Sequence, residues 1–260
     1  NLVDQKFPVN DDMKEDAATI IKQIKSAYKS NYGDNYKDSL NQALTSAGYK
    51  NLSEYRQKMI KQIQYANFLL DYIDDHFDDV FNDYYQQCAP KYVSLIKISV
   101  SDTSSPTGDE TSKLNEVKEL ISNTDKSFGD IAQDYSNDST SSKKGSLGIV
   151  DSKDTSGIAN SYGKDVFNAI EALSEGQVSD VITGDNGYYF VKVTSTDKKT
   201  LKKELKKTDI DSPLLAYDDY LQYVVYNSYK INYKDKDIKK IVQEVVNKAL
   251  EERKTERGEA

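Results

Sequence analysis

Apolar residues return at steps of three and four near the start of the chain. In LSEYRQKMIKQIQYANFLLDYIDDHF, Tyr55, Met59, Ile63, Ala66, Leu70 and Ile73 fall on one stripe, the pattern of an amphipathic helix. Asn51 stands where an N-cap belongs, with Glu54 three residues on as its capping-box partner. KEDAATIIKQIKSAYKSNYG predicts an earlier helix ending near Gly33. DNYKDSLNQALTSAG predicts a shorter one ending at Gly48, where glycine takes the left-handed cap conformation. Pro90 closes this helical zone.

The period then changes. YVSLIKISV is β-branched and alternating, a strand. SDTSSPTGDE reads as a loop, TSKLNEVKELISN and FGDIAQDYS as helices, NDSTSSKKGS as a polar loop and LGIVD as a short strand. GKDVFNAIEAL predicts a helix; GQVSDVIT and GYYFVKVTS predict a hairpin turning at Gly184 to Gly187. After residue 196 the helical period returns in PLLAYDDYLQYVVYNSY and in DIKKIVQEVVNKALEERK, the latter with a stripe at Ile238, Ile241, Val245 and Ala249. The tail TERGEA is expected to fray. The expected fold class is therefore α+β. Residues 1–90 and 197–260 form one split all-α domain, and 91–196 an inserted α+β domain with a small mixed or antiparallel sheet and surrounding helices.

Composition narrows the function. The net charge is −8 over 260 residues, which argues against nucleic acid and against adhesion to an anionic membrane, since both draw on Lys and Arg. KKTLKKELKK (198–207) is the one basic run, read as a solvated helix face. The 20 tyrosines, with no tryptophan, read as half-buried packers rather than a binding surface. The single cysteine, Cys88, excludes an intrachain disulfide and reads as a small buried apolar residue. The single histidine, His76, sits among Asp74, Asp75, Asp78 and Asp79; paired-ligand spacing is absent, and a solvated acidic helix face is the favoured reading. No metal or cofactor is implied. No apolar run reaches membrane-span length. The chain opens at NLVDQKFPVN without Met, as expected of a polypeptide trimmed behind a targeting segment.

SFGDIAQDYSNDSTSSKKGSLG, then FNAIEALSEGQVSDVI, then GYYFVKV, an ordered set across nearly the whole middle zone, resembles the parvulin family of peptidyl-prolyl isomerases. The flanking helices resemble the split chaperone domain of PrsA-type foldases. That resemblance implies a lipoprotein on the outer face of a Gram-positive membrane, assisting exported proteins as they fold. It implies unfolded clients and proline-containing peptides as partners, a homodimer, and membrane contact only through a lipid anchor.

Isomerisation about an X–Pro bond crosses a barrier of roughly 18–20 kcal/mol. A pocket for the proline ring, with hydrogen bonds suited to the twisted amide, lowers it. The family supplies two histidines, a Cys or Asp, and a Ser or Thr beside an apolar pocket. Carried onto this chain, the first histidine falls on Leu95 and the second on Tyr189, while the Cys-or-Asp position keeps Asp138. The threonine corresponds to Thr183, although TGDNGYY is one residue longer than the family's usual turn. The proline pocket falls on Tyr162, Val166 or Phe167, and Leu173. For Tyr189 a half-buried strand residue is the favoured reading over a catalytic one, while Asp138 reads equally as a turn residue bonding its own loop. Three functions stay open: a foldase whose parvulin-like domain binds peptide with weak or no catalysis, which is favoured; an active isomerase with an altered cluster; and a non-catalytic surface scaffold.

Overall fold

The computed structural model describes residues 2–123, 125–205 and 210–259. In chain order the helices and strands are α1 (Leu2–Lys6), α2 (Asp11–Tyr32), α3 (Tyr36–Ser46), α4 (Leu52–Asp75), α5 (Phe77–Cys88), β1 (Lys91–Ser99), α6 (Gly108–Asn123), α7 (Phe128–Tyr135), β2 (Ser146–Val150), α8 (Ile158–Tyr162), α9 (Lys164–Ala172), β3 (Ile182–Gly184), β4 (Gly187–Ser195), α10 (Lys198–Glu204), α11 (Leu221–Ser228) and α12 (Lys236–Glu256). The chain divides into two compact units: Asn1–Phe77 with Lys207–Asp211 and Asp218–Ala260, and Asp78–Lys206 with Ser212–Tyr217.

The first unit is all helical. Met13, Ala17 and Ile21 of α2 pack with Met59, Ile60 and Ile63 of α4, so the stripe that includes Met59 and Ile63 does face a core. Asn51 caps α4 by accepting from the Glu54 N–H at 2.9 Å. The reciprocal bond differs from the expected box, because the Glu54 carboxylate takes the N–H of Lys50, at 2.7 Å, rather than that of Asn51. Near the C-terminus, buried Asp218 accepts from Arg253 Nε at 2.7 Å and Arg257 Nη2 at 2.8 Å. The helix expected over 213–229 is shorter, and Asp218 Oδ1 accepts the Tyr220 N–H at 2.9 Å ahead of it. Pro213–Leu215 form only a 3-10 turn, and α11 begins at Leu221. His76 ends α4, stacked on Tyr72 with ring centroids 4.1 Å apart. Among the described residues no group of three metal-ligating side chains forms.

The second unit is built on a four-stranded sheet in the order β2-β1-β4-β3. Each pairing is antiparallel, so of the two sheet types expected it is the antiparallel one. The strand expected over 176–183 shrinks to β3, preceded by a lone bridge from Val178 to Lys192. α6 begins inside the expected loop, because Thr107 and Glu110 form a capping box there. Glu110 N–H donates to Thr107 Oγ1 at 3.3 Å, and the Glu110 carboxylate accepts the Thr107 N–H at 2.7 Å.

α5, expected in the helical domain, groups with the sheet from Asp78 onward. Its Tyr84 hydroxyl donates to fully buried Asp151 at 2.8 Å, and Ser152 N–H donates to the Cys88 carbonyl at 2.9 Å. Cys88 is itself fully buried, as expected. In α10 the basic run turns its lysines outward around buried Leu201; residues 206–207 of that run lie outside the described residues.

Period-2 alternation along β1 and β4 splits the core of this unit in two. Ile96, Ile98 and Phe190 face α6 and α7, meeting Leu114, Val117, Phe128, Ile131 and Ala132. Val93, Leu95, Tyr189 and Val191 face the other way and meet Ile158, Val166 and Ile170 of α8 and α9. Lys91 fixes α9 against this second face. Its ammonium donates to the carbonyls of Ile170, Glu171 and Leu173 at 2.9, 2.7 and 3.1 Å, where the helix dipole favours a cation.

Candidate functional site

The residues singled out by sequence meet, with one exception, on the α8–α9 face of the sheet. Leu95 lies fully buried at its centre, and its N–H donates to the Gly145 carbonyl at 2.8 Å. Gly145 has a φ of +76°, and a Cβ there would stand 2.5 Å from the Leu95 carbonyl oxygen. Only glycine therefore lets the KKGSLG loop come this close to β1. Two further bonds hold that loop: Asn137 N–H to the Lys97 carbonyl at 2.8 Å and Lys97 N–H to Ser136 Oγ at 3.0 Å. Together they bring Asp138 to the edge of the face.

Asp138 has two jobs here. It caps the 3-10 turn after it, accepting from the Thr140 N–H at 2.9 Å and the Thr140 hydroxyl at 2.7 Å. Its Oδ1 also accepts from the Tyr162 hydroxyl at 3.4 Å. Burial, followed by the Asp138 charge, pushes the Tyr162 phenol up to about 12. Tyr162 thus stays protonated at neutral pH, a standing O–H donor. The Tyr162 and Tyr189 rings meet edge to face, with centroids 6.2 Å apart.

Tyr189 is 4% exposed and faces Lys97 and Ile182 across the strands. Its hydroxyl donates to Asn186 Oδ1 at 2.9 Å. The Lys97 ammonium lies 5.6 Å from the centre of its ring, within cation–π range. Beneath the ring is Gly184, where a Cβ would come within 2.7 Å of Tyr189 Cε2. A phenol-sized ring in this place requires a residue without a side chain beside it.

Val166 and Phe167 both touch this cluster, but Val166 is 1% exposed and Phe167 half-buried. Phe167, Tyr162 and Leu173 therefore have surface to offer a ligand, while Leu95 and Val166 form the floor. Thr183 is the exception. It is exposed and pairs with Tyr188, one residue out of phase with Ile182 and Tyr189, so its side chain points to the opposite face. The bond to the Tyr189 hydroxyl is made by Asn186, not Thr183. Sequence reasoning passed over Asn186 and Lys97. Only Lys97 left a trace, as a charge at an inward position in YVSLIKISV.

The face thus joins partly exposed apolar side chains to two phenols and a carboxylate, with the Tyr162 hydroxyl donated to Asp138 and the Tyr189 hydroxyl to Asn186. No imidazole lies on it.

Residues 95–195 match the family described as Rotamase, the PPIC-type PPIASE domain. Foldase protein PrsA of Staphylococcus epidermidis is 32% identical over 141 residues, 52% of this chain and 41% of that protein. The same-named protein of Staphylococcus aureus is 31% identical over the same shares. The chain thus spans less than half the length of the curated relatives it matches. Among solved structures, PrsA from Streptococcus pneumoniae aligns with a TM-score of 0.45 at 19% identity, covering 93% of this chain and 85% of that one. PrsA from Bacillus subtilis aligns with a TM-score of 0.40 at 22% identity, covering 91% and 82%.

Proposed function

We propose that this chain acts as an extracytoplasmic foldase of the PrsA type. Its PPIC-type domain holds proline-bearing stretches of exported polypeptides and isomerises them far more slowly than a histidine-bearing parvulin does. The observation that carries this reading is the occupation of the sheet face. An apolar wall of Tyr162, Phe167 and Leu173 remains open beside Asp138, while Leu95 and Tyr189 stand where the family's imidazoles are expected. Each lost polar contact in a transition state is worth a few kcal/mol, and about 1.4 kcal/mol is a factor of ten in rate. Binding of the proline ring draws on the apolar wall and is retained.

Similarity to PrsA foldases supports the remaining parts of the proposal: a lipid anchor on the outer face of the membrane, a split helical domain that shelters non-native chains, and weak pairing of two copies through that domain. Two assays on one sample test the central claim, a protease-coupled prolyl isomerisation assay and suppression of aggregation of a denatured client. Suppression with isomerisation at least tenfold below a histidine-bearing parvulin is the expected result. Full isomerase activity would make the histidines dispensable here, and failure in both assays would favour a surface scaffold.

A further inference from the structure

Lys97 follows Leu95 on the inward side of β1, where the register pairs it with Tyr189. Its backbone is pinned on both sides. The N–H donates to Ser136 Oγ at 3.0 Å, and the carbonyl accepts from the Asn137 N–H at 2.8 Å. Its stem runs along Gly187, where an added Cβ would stand 3.4 Å from Lys97 Cε. The half-buried side chain thus holds its ammonium 5.6 Å from the centre of the Tyr189 ring.

Two other half-buried lysines of this unit spend their charge inside the fold. Lys91 donates to three carbonyls, and Lys202 pairs with Asp78 at 2.5 Å. Among the described residues the Lys97 ammonium makes neither an ion pair nor a hydrogen bond. Asp138 does not neutralise it; its Oδ1 is taken by Thr140 and Tyr162. An aromatic face answers a cation weakly compared with a carboxylate at contact distance. Position then selects the ligand. The Tyr162 ring borders the same Tyr189 ring, with centroids 6.2 Å apart. Successive residues of an extended chain advance about 3.3–3.6 Å. A chain that lays a proline on Tyr162, Phe167 and Leu173 therefore brings the side chain beside that proline within reach of the ammonium.

We propose that Lys97 gives this face a preference for prolines flanked by Asp or Glu. The proposal rests on the peptide-holding reading above and adds the class of sequence held. Lys97 acts as a specificity residue and takes no part in rotation of the amide. The net charge of −8 opposes an acidic ligand at long range, so a preference for one has to come from a local cation. The preference shows in affinity and fades with salt, because charges at a solvent-accessible site are screened over about 10 Å at 0.1 M.

The test uses the full chain and three fluorescent peptides of one Gly/Ser background, each with a central proline flanked on both sides by Glu, Gln or Lys. Fluorescence anisotropy at low ionic strength should rank them Glu, Gln, Lys. The Glu peptide should bind at least fivefold tighter than the Gln peptide, equivalent to about 1 kcal/mol, and high salt should close that gap. Lys97→Gln should equalise the Glu and Gln peptides. Lys97→Glu should place the Lys peptide above the Glu peptide, and Lys97→Arg should keep the original order, each variant with an unchanged circular dichroism spectrum. The ranking and its salt dependence in the unmodified chain need no variant. A Glu preference that survives Lys97→Gln overturns the proposal, because the acidic peptide then sits elsewhere. So does equal binding by a Glu peptide whose proline is replaced by alanine. If no proline peptide binds, the peptide-holding reading fails and the Lys97 preference with it. If all three bind alike, that reading stands and only the preference fails.

Discussion

The two faces of the sheet are filled differently. Against α6 and α7, Ile96, Ile98, Phe190, Val117 and Ile131 make an apolar layer. Against α8 and α9, the equivalent layer admits a phenol at Tyr189 and leans on Tyr162 and Asp138 at its edge. The first face stabilises the unit; the second gives up apolar contact to keep hydrogen-bonding groups beside the half-buried Tyr162, Phe167 and Leu173. The difference teaches where substitution should show in stability and where in binding.

Phe190→Ala tests the first face and should have the largest effect. Phe190 is 3% exposed in the α6–α7 layer, and truncating such a ring costs about 3–5 kcal/mol through lost burial and a residual cavity. Urea denaturation should show the loss, while proline-peptide affinity of the fraction still folded should hold. A large change in affinity without a change in stability would erase the distinction between the faces.

Leu95→His with Tyr189→His tests the second face. Leu95 is fully buried, so an imidazole there loses stability, about 1–3 kcal/mol if it lacks a partner. On the proposed reading, isomerase activity should nonetheless rise at least tenfold, since two imidazoles are added beside Asp138. If activity stays flat while the double variant remains folded, the proposal that Leu95 and Tyr189 limit catalysis fails.

Gly184→Ala should act on Tyr189 alone. The added methyl would lie 2.7 Å from the Tyr189 ring, so the ring must shift and its bond to Asn186 must lengthen. A loss of about 1–2 kcal/mol is expected, within the range for modest overpacking. Restoring stability by combining Gly184→Ala with Tyr189→Phe would disprove the clash.

Much of this arrangement is legible in the residues, and the reasons for the rest are physical. Local signals carried over well: Asn51 caps α4, Gly33 ends α2, and Gly184 and Gly187 pair at the hairpin. What depends on distant partners did not. PLLAYDDYLQYVVYNSY has a helical period, but Asp218 is drawn to Arg253 and Arg257 far along the chain. The stripe of α12 has the right spacing for a core, yet only Ala249 of its four expected members is buried. Periodicity reports that a face is apolar, not what covers it. Thr183 pairs with Tyr188 and not with Tyr189, and a single step in register moves a side chain to the other face.

The smallest effect expected concerns the pH range over which the second face is intact. Burial and the Asp138 charge raise the Tyr162 phenol from its ordinary value near 10 to about 12. A raised pKa means that the folded chain favours the neutral phenol. Its contribution to stability is therefore complete below about pH 10, where the unfolded phenol is also protonated. It is lost as pH climbs through about 12 and the phenolate forms against Asp138. Tyr162→Phe removes both the hydroxyl and its titration. The unmodified protein should then lose stability relative to the Phe variant between pH 10 and about 12, with the two curves parallel below that window. Other buried tyrosines titrate in both proteins, so the difference between the two urea midpoints isolates residue 162. Parallel curves throughout would mean that neither burial nor the Asp138 charge raises the Tyr162 phenol in the folded chain.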